Sequence, residues 1–283
     1  MKDPLHGDVV GFTFYKSKVR QMVKKRKRSL LSNIILVIAL AVFLYSAYQL
    51  CLVYAEYRKG TQEYDGLIED VITEEKGENA TENTDDSTKS SFQVDFAKLL
   101  TINAETVAWI RFEQPEKISY PVVQGPDNSK YLKETFEGKH NSVGTIFMDA
   151  VNKKDFSDKN TFIYGHNMKN GSMFGQLRKY KNAEFCQENP YFYIYTPDGR
   201  EMKYQVFAVG IVEDTSESFK VLYANDAGYE QYLDHIQKIS PYKTGVEVTK
   251  DSQIVSLSTC TNVTETQRLV VHGVKISERV IGE

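Results

Sequence analysis

Apolar residues are arranged in three ways along this chain. Ile34 to Leu44 is an unbroken apolar run inside a stretch, Ser29 to Ala55, that carries no charged residue. That stretch supplies the roughly 20 apolar residues a helix needs to cross a bilayer. From Glu56 to Ile72 the apolar positions thin out to helical spacing (Tyr57, Tyr64, Leu67, Ile68, Val71), which predicts a stalk helix. Thr73 to Ser91 contains no large apolar residue. Such a composition cannot bury enough surface to offset the entropy of ordering it, so a flexible linker is expected there. The third pattern begins at Phe92. A helix is expected over 92–102, with Phe92, Phe96, Leu99 and Leu100 on one side. Short alternating segments follow at Val107–Phe112, Tyr120–Gln124, Gly144–Met148, Thr161–Tyr164, Tyr191–Tyr195 and Lys203–Val212, with a turn at Pro197-Asp198-Gly199. Asp226 to Ile239 reads as an amphipathic helix with Tyr229, Tyr232, Leu233 and Ile236 on one face. Two more strands, Ser252–Thr259 and Leu269–Ile276, close the chain. The expected fold is mostly β: a closed or nearly closed antiparallel barrel carrying helical insertions.

Charge follows the same division. Residues 1–60 carry 11 Lys/Arg against 3 Asp/Glu, whereas residues 61–91 carry 2 against 10. The basic cluster from Lys24 to Arg28 stands directly before the apolar run, which places the N-terminus in the cytoplasm and the rest outside. A cleaved signal peptide would have a shorter apolar core and small residues at its cleavage site, and the residues around Cys51 do not supply them. The expected organisation is therefore a basic cytoplasmic segment at 1–28, an anchor in the lipid bilayer at 29–55, an extracellular acidic spacer at 56–91 and a working domain at 92–283, which should fold without the rest. Three cysteines are too few for a disulfide-built scaffold. No basic, aromatic-studded face points to nucleic acid.

Candidate chemistry lies at strand ends. Cys260 falls where the strand from Ser252 ends, and Arg268 opens the next strand after a short loop. A hairpin of this form brings the two side chains together at one end of the barrel. Arginine offers a rigid fork of donors that can hold a substrate carbonyl or an oxyanion. A thiol nucleophile also needs a proton acceptor, and histidine is the commonest. His166 stands just beyond another strand end, after Ile163-Tyr164-Gly165. Each residue also has a bland reading: a buried small thiol, a solvated turn imidazole, a surface ion-pair partner. Composition and spacing alone leave a Cys-His enzyme and these readings both open.

Leu257-Ser258-Thr259-Cys260-Thr261, with Arg268 eight residues after the Cys, resembles the active-site strand of sortases, with Ser256 standing where the family pattern has Thr. Ile163 to Phe174 is similar to the His-containing segment of class B sortases in particular. Tyr120 to Gln124, Asp127 to Leu132, Gly144 to Asp149 and the helix at 226–239 between the sixth and seventh strands match that class in the same order. The resemblance implies a sortase-like closed barrel of about eight strands. It also implies a cysteine transpeptidase, without cofactor or metal, on the outer face of a Gram-positive-type membrane. Such an enzyme cleaves the C-terminal sorting motif of a secreted protein after Thr through a thioacyl-enzyme, and an amine of a peptidoglycan precursor resolves it. Cys260 would be the nucleophile, His166 the proton carrier of a thiolate–imidazolium pair, and Arg268 the group that steadies substrate and oxyanion. Asn128, Leu132, Tyr164, Thr215, Ser258 and Thr259 are the expected substrate contacts.

Rival readings are separated by what the sequence contains only in part. L,D-transpeptidases place their Cys in a Ser-His-Gly context, which is missing around Cys260, and papain-like proteases put Cys before His. A pilin-polymerising sortase, or a non-catalytic peptide-binding module on the same barrel, would look alike at this level. His140, His235, His272 and Cys186 are read as structural or solvated, with His272 directed away from the catalytic end.

Overall fold

A computed structural model describes residues 7–75, 91–116, 118–261 and 263–281; most of the expected linker, 76–90, lies outside these. The chain divides into two compact units, Met1–Ala55 and Glu56–Glu283. Within the first, helix α1 (Gly7–Val71) begins, and its residues from Leu31 to Tyr54 expose their large apolar side chains. Leu31–Val71 is long and apolar enough to cross a membrane by length and composition.

The second unit is built on a closed barrel of eight strands. After a two-stranded antiparallel sheet of β1 (Ile72–Glu75) and β2 (Ser91–Val94) and the short helix α2 (Phe96–Ile102), the barrel strands are β3 (Thr106–Phe112), β4 (Ser119–Val123), β5 (Ile146–Met148), β6 (Asn160–Tyr164), β7 (Tyr191–Tyr195), β8 (Arg200–Glu213), β9 (Ile254–Cys260) and β10 (Gln267–Val280). They close in the order β10-β8-β7-β3-β4-β5-β6-β9. Helix α3 (Ala183–Glu188) precedes β7, and α4 (Asp226–Ile239) is inserted between β8 and β9. Trp109, Ile110, Phe112, Phe192 and Leu257 are fully shielded in the core. The Pro-Asp-Gly turn joins β7 to β8 with Gly199 at φ +82°, a conformation that favours glycine. Asn225 caps α4 by accepting the Gly228 N–H at 2.9 Å, and the predicted face of Tyr229, Tyr232, Leu233 and Ile236 is buried.

Four expectations need correction. The barrel is not wholly antiparallel: β4 pairs β5 in parallel, and β6 pairs β9 in parallel. Phe92 belongs to a strand, because the pairing of Ser91–Val94 with Ile72–Glu75 captures it; α2 starts only at Phe96, behind the N-cap Asp95. Residues 56–71 are not a free stalk. Tyr64, Leu67 and Val71 are buried in the main core with Phe92, because sparse apolar spacing on a helix still makes one apolar face. The compact unit accordingly starts at Glu56 and not at Phe92. His272, read as structural or solvated, is wholly buried in mid-strand, with Nδ1 2.8 Å from Ser256 Oγ.

Candidate active site

The parallel pairing of β6 with β9 positions the site. Two parallel neighbours end on the same side of a sheet, so the residues after Tyr164 emerge beside the end of β9, where Cys260 stands. Tyr164 is in register with Ser258, and the Gly165 N–H donates to the Ser258 carbonyl at 3.1 Å. An antiparallel pairing would have sent His166 to the far end of the barrel. On the other flank β10 runs antiparallel to β9, with Arg268 directly opposite Cys260. Three adjacent strands thus deliver three side chains to one cavity of about 450 Å³.

Of the residues singled out in the sequence, Asn128, Leu132, Tyr164, His166, Ser258, Thr259, Cys260 and Arg268 line this cavity. Thr215 does not; it is exposed, and its neighbours Asp214 and Phe219 face the cavity instead. Thr145, Phe147, Asp149 and Gly165 complete the wall. Cys260 is half-buried and is a free thiol, as are Cys51 and Cys186, so no disulfide occupies its sulfur.

Each functional side chain has a local frame. The loop after β6 is a tight reversal: the Phe174 N–H donates to the His166 carbonyl at 3.0 Å, and Asn167 bridges Met173. Gly165 is required because a Cβ there would stand 2.8 Å from the Phe174 ring. The His166 Nε2 lies 2.7 Å from the Leu132 carbonyl. A carbonyl only accepts, so Nε2 carries a proton and Nδ1 is left for chemistry. Asn167 Nδ2 donates to the Cys260 carbonyl at 2.7 Å, tying the histidine loop to the backbone of Cys260. The Arg268 guanidinium donates to the carbonyls of Glu265 at 2.6 Å and Gln267 at 3.2 Å, and pairs with Asp214 Oδ2 at 3.2 Å.

The opposite wall is organised by Asp149, a buried carboxylate. Its Oδ2 accepts from Asn128 Nδ2 at 2.9 Å and from the Tyr164 hydroxyl at 2.8 Å. Burial first, and the Asp149 charge second, raise Tyr164 well above the ordinary phenol range, so it stays a donor. The Thr259 hydroxyl is buried without a hydrogen-bond partner among the described residues while the residue faces the cavity. A buried unpaired hydroxyl is costly. Asp149 and Asp214 escaped the sequence reading as site residues because polar residues in loops carry no periodic signal. The only clue lay in Asp149 closing the Gly144 to Asp149 match. Among the described residues no group of three or more His, Cys, Asp or Glu could hold a metal.

Comparison with known proteins points one way. A sortase domain profile matches residues 114–276. Sortase B of Listeria monocytogenes is 30% identical over 250 residues, covering 87% of this chain and 97% of its own length. Sortase B of Staphylococcus aureus is 33% identical, covering 64% and 74%. Among solved structures, Bacillus anthracis sortase B in complex with AAEK1 aligns with a TM-score of 0.66 at 31% identity, covering 79% of this chain and 99% of that one. The Staphylococcus aureus sortase B–substrate complex aligns with a TM-score of 0.60 at 32% identity, covering 64% and 84%.

Proposed function

The chain belongs to the sortase family of cysteine transpeptidases, in its class B group, and from that premise we propose that Cys260, His166 and Arg268 are its catalytic residues. The observation that carries the assignment is the convergence of β6, β9 and β10 on one cavity, with Arg268 opposite Cys260 in direct cross-strand register.

The substrate is the C-terminal sorting motif of a secreted protein, lying along Asn128, Leu132, Tyr164, Ser258 and Thr259. The Cys260 sulfur attacks the carbonyl carbon of the motif's Thr. Arg268 holds the carbonyl oxygen and takes up the charge that develops on it, a task suited to a fixed fork of N–H donors. The C–N bond then breaks, and the imidazolium of His166 gives its Nδ1 proton to the departing amine. Its Nε2–H stays on the Leu132 carbonyl throughout, which keeps the ring oriented. In the second half an amine of a peptidoglycan precursor attacks the thioester. His166 takes the amine's proton, and the Cys260 thiolate leaves. The bond made replaces the bond broken, and no cofactor enters.

The sorted charge along the chain supports a single-pass topology. Residues 1–28 lie in the cytoplasm, 29–55 cross the membrane and the barrel works outside. Wall attachment of secreted proteins is the outcome of such placement.

The test is mass spectrometry of the full chain in detergent with a small library of sorting-motif peptides, with and without peptidoglycan-type amines. One peptide class should leave a thioacyl adduct on Cys260, and the amine should discharge it. Cys260→Ala should form none. His166→Ala should lower kcat/KM by about 10²–10⁴-fold, and Arg268→Ala by about 10²–10³-fold. Turnover by Cys260→Ala would point to another nucleophile. Near-normal rates in either of the other variants would remove that residue from the mechanism.

A further inference from the structure

The helix whose buried face joins the main core does more than fill space, because its Tyr64 touches one segment that frames His166 and reaches the other through Tyr120. The Tyr64 side chain is 2% exposed. Its hydroxyl donates to the Gly144 carbonyl at 2.7 Å and accepts from the Phe136 N–H at 3.2 Å. Gly144 has φ +61°, and a Cβ built on it would stand 3.0 Å from both His166 Cδ2 and the Leu132 carbonyl oxygen. That carbonyl is the one that receives the His166 Nε2–H. Gly144 therefore lies against the imidazole and against the group that orients it, and Tyr64 fixes where Gly144 lies.

A second route leaves the same side chain from its ring. Tyr64 packs edge-to-face on Tyr120 at 5.6 Å, and the Tyr120 hydroxyl accepts the Met173 N–H at 3.1 Å. Met173 is the residue before Phe174, whose N–H closes the histidine loop onto the His166 carbonyl. The close approach is permitted by Gly60, one turn earlier, where a Cβ would stand 2.8 Å from Val143 Cγ2.

We propose that Tyr64 is a positioning residue for His166, so that the helix segment 56–64 belongs to the active-site scaffold. This rests on the assignment of His166 as the proton carrier. A side chain anchored on both sides of an imidazole limits its displacement, and displacement of about 1 Å in a catalytic group can cost about 10²-fold in rate.

The test uses the full chain in detergent micelles with Tyr64→Phe, which keeps the ring and removes the hydroxyl, and Gly60→Ala, which adds one methyl group at the Val143 contact. Ala is the better helix former, so a role confined to helix stability predicts an unchanged or stabilised enzyme for Gly60→Ala. Three readouts are taken: the melting temperature, kcat and KM with the peptide that acylates Cys260, and the imidazole signals of ¹⁵N-histidine-labelled protein, with His166→Ala assigning the resonance. The expected result is about a tenfold fall in kcat with KM within twofold for both variants. The His166 signals should move while those of His272 stay in place. Unchanged kcat and unchanged His166 signals in folded variants would overturn the proposal. If His166→Ala itself retains activity, the reading of His166 as proton carrier fails. The signals, which need no substrate, then decide positioning alone: a shift supports it and no shift overturns it. A Tyr64→Phe variant that does not fold leaves the decision to Gly60→Ala.

Discussion

At the scale of single residues, Arg268 shows how a side chain proposed as catalytic is held by groups with no part in the proposed chemistry. Two main-chain carbonyls and Asp214 occupy part of its fork, which leaves the remaining N–H groups for the cavity. The Asp214 side chain is 38% exposed, and an ion pair this open is worth about 0.2–1 kcal/mol. Asp214→Ala is therefore expected to lower kcat/KM by about fivefold or less, and Asp214→Asn, which keeps an acceptor, by less still. Steady-state kinetics with the acylating peptide check this. A loss as large as that of Arg268→Ala would mean that Asp214 itself meets the reacting atoms. Cys260 and Arg268 were legible as neighbours because an alternating strand, a short loop and a second strand leave a hairpin as the simplest arrangement. Asp214 was not legible, since nothing local to a loop carboxylate says which cation it will meet.

At the scale of elements, the largest departure from the sequence reading is the run from Glu56 to Val94. Its apolar residues are few, and few apolar residues on a helix look like a solvated stalk. In the structure one face of that helix closes the core, and β1 recruits Phe92 into a second small sheet. Burying Tyr64, Leu67 and Val71 contributes about 1.5–3 kcal/mol for each side chain, a large share of the stability of an ordinary domain. A fragment of residues 56–283 should therefore melt well above one of residues 92–283, and the shorter fragment should lose most of its activity. Differential scanning calorimetry of the two fragments decides the matter. Equal melting temperatures would restore the boundary at Phe92. The insert α4 was read correctly because its apolar face repeats strongly over 14 residues, and a full turn count leaves little room for another reading.

At the scale of the whole molecule, the barrel encloses one histidine that must stay neutral. Burial, and to a lesser degree the nearby His235, lowers His272 to about 3. The unfolded chain takes up a proton near pH 6.5, whereas the folded barrel does not. The stability contributed by keeping His272 neutral is thus fully present above pH 6.5 and is lost as pH falls from there toward 3. The loss amounts to about 1.4 kcal/mol for each pH unit. Denaturant unfolding of the wild-type chain between pH 6.5 and 4.5 should show this slope, and His272→Gln should flatten it. Equal slopes in both would assign the acid sensitivity to other groups. His272 was expected only to point away from the catalytic end, because strand alternation gives a face and not a depth.

The sequence by itself determined what is local: the anchor-length apolar run, the strands, the α4 insert, the adjacency of Cys260 and Arg268, and the class B motifs in their order. These follow from periodicity of two or 3.6 and from turn chemistry, which act within a few residues. The tertiary structure alone decided that β6 and β9 run parallel, which brings His166 to Cys260 across 94 residues of chain. It also decided that Tyr64, far upstream, stands behind the histidine. Pairing direction and long-range burial are chosen by the free energy of closing the whole barrel, so no single segment carries them.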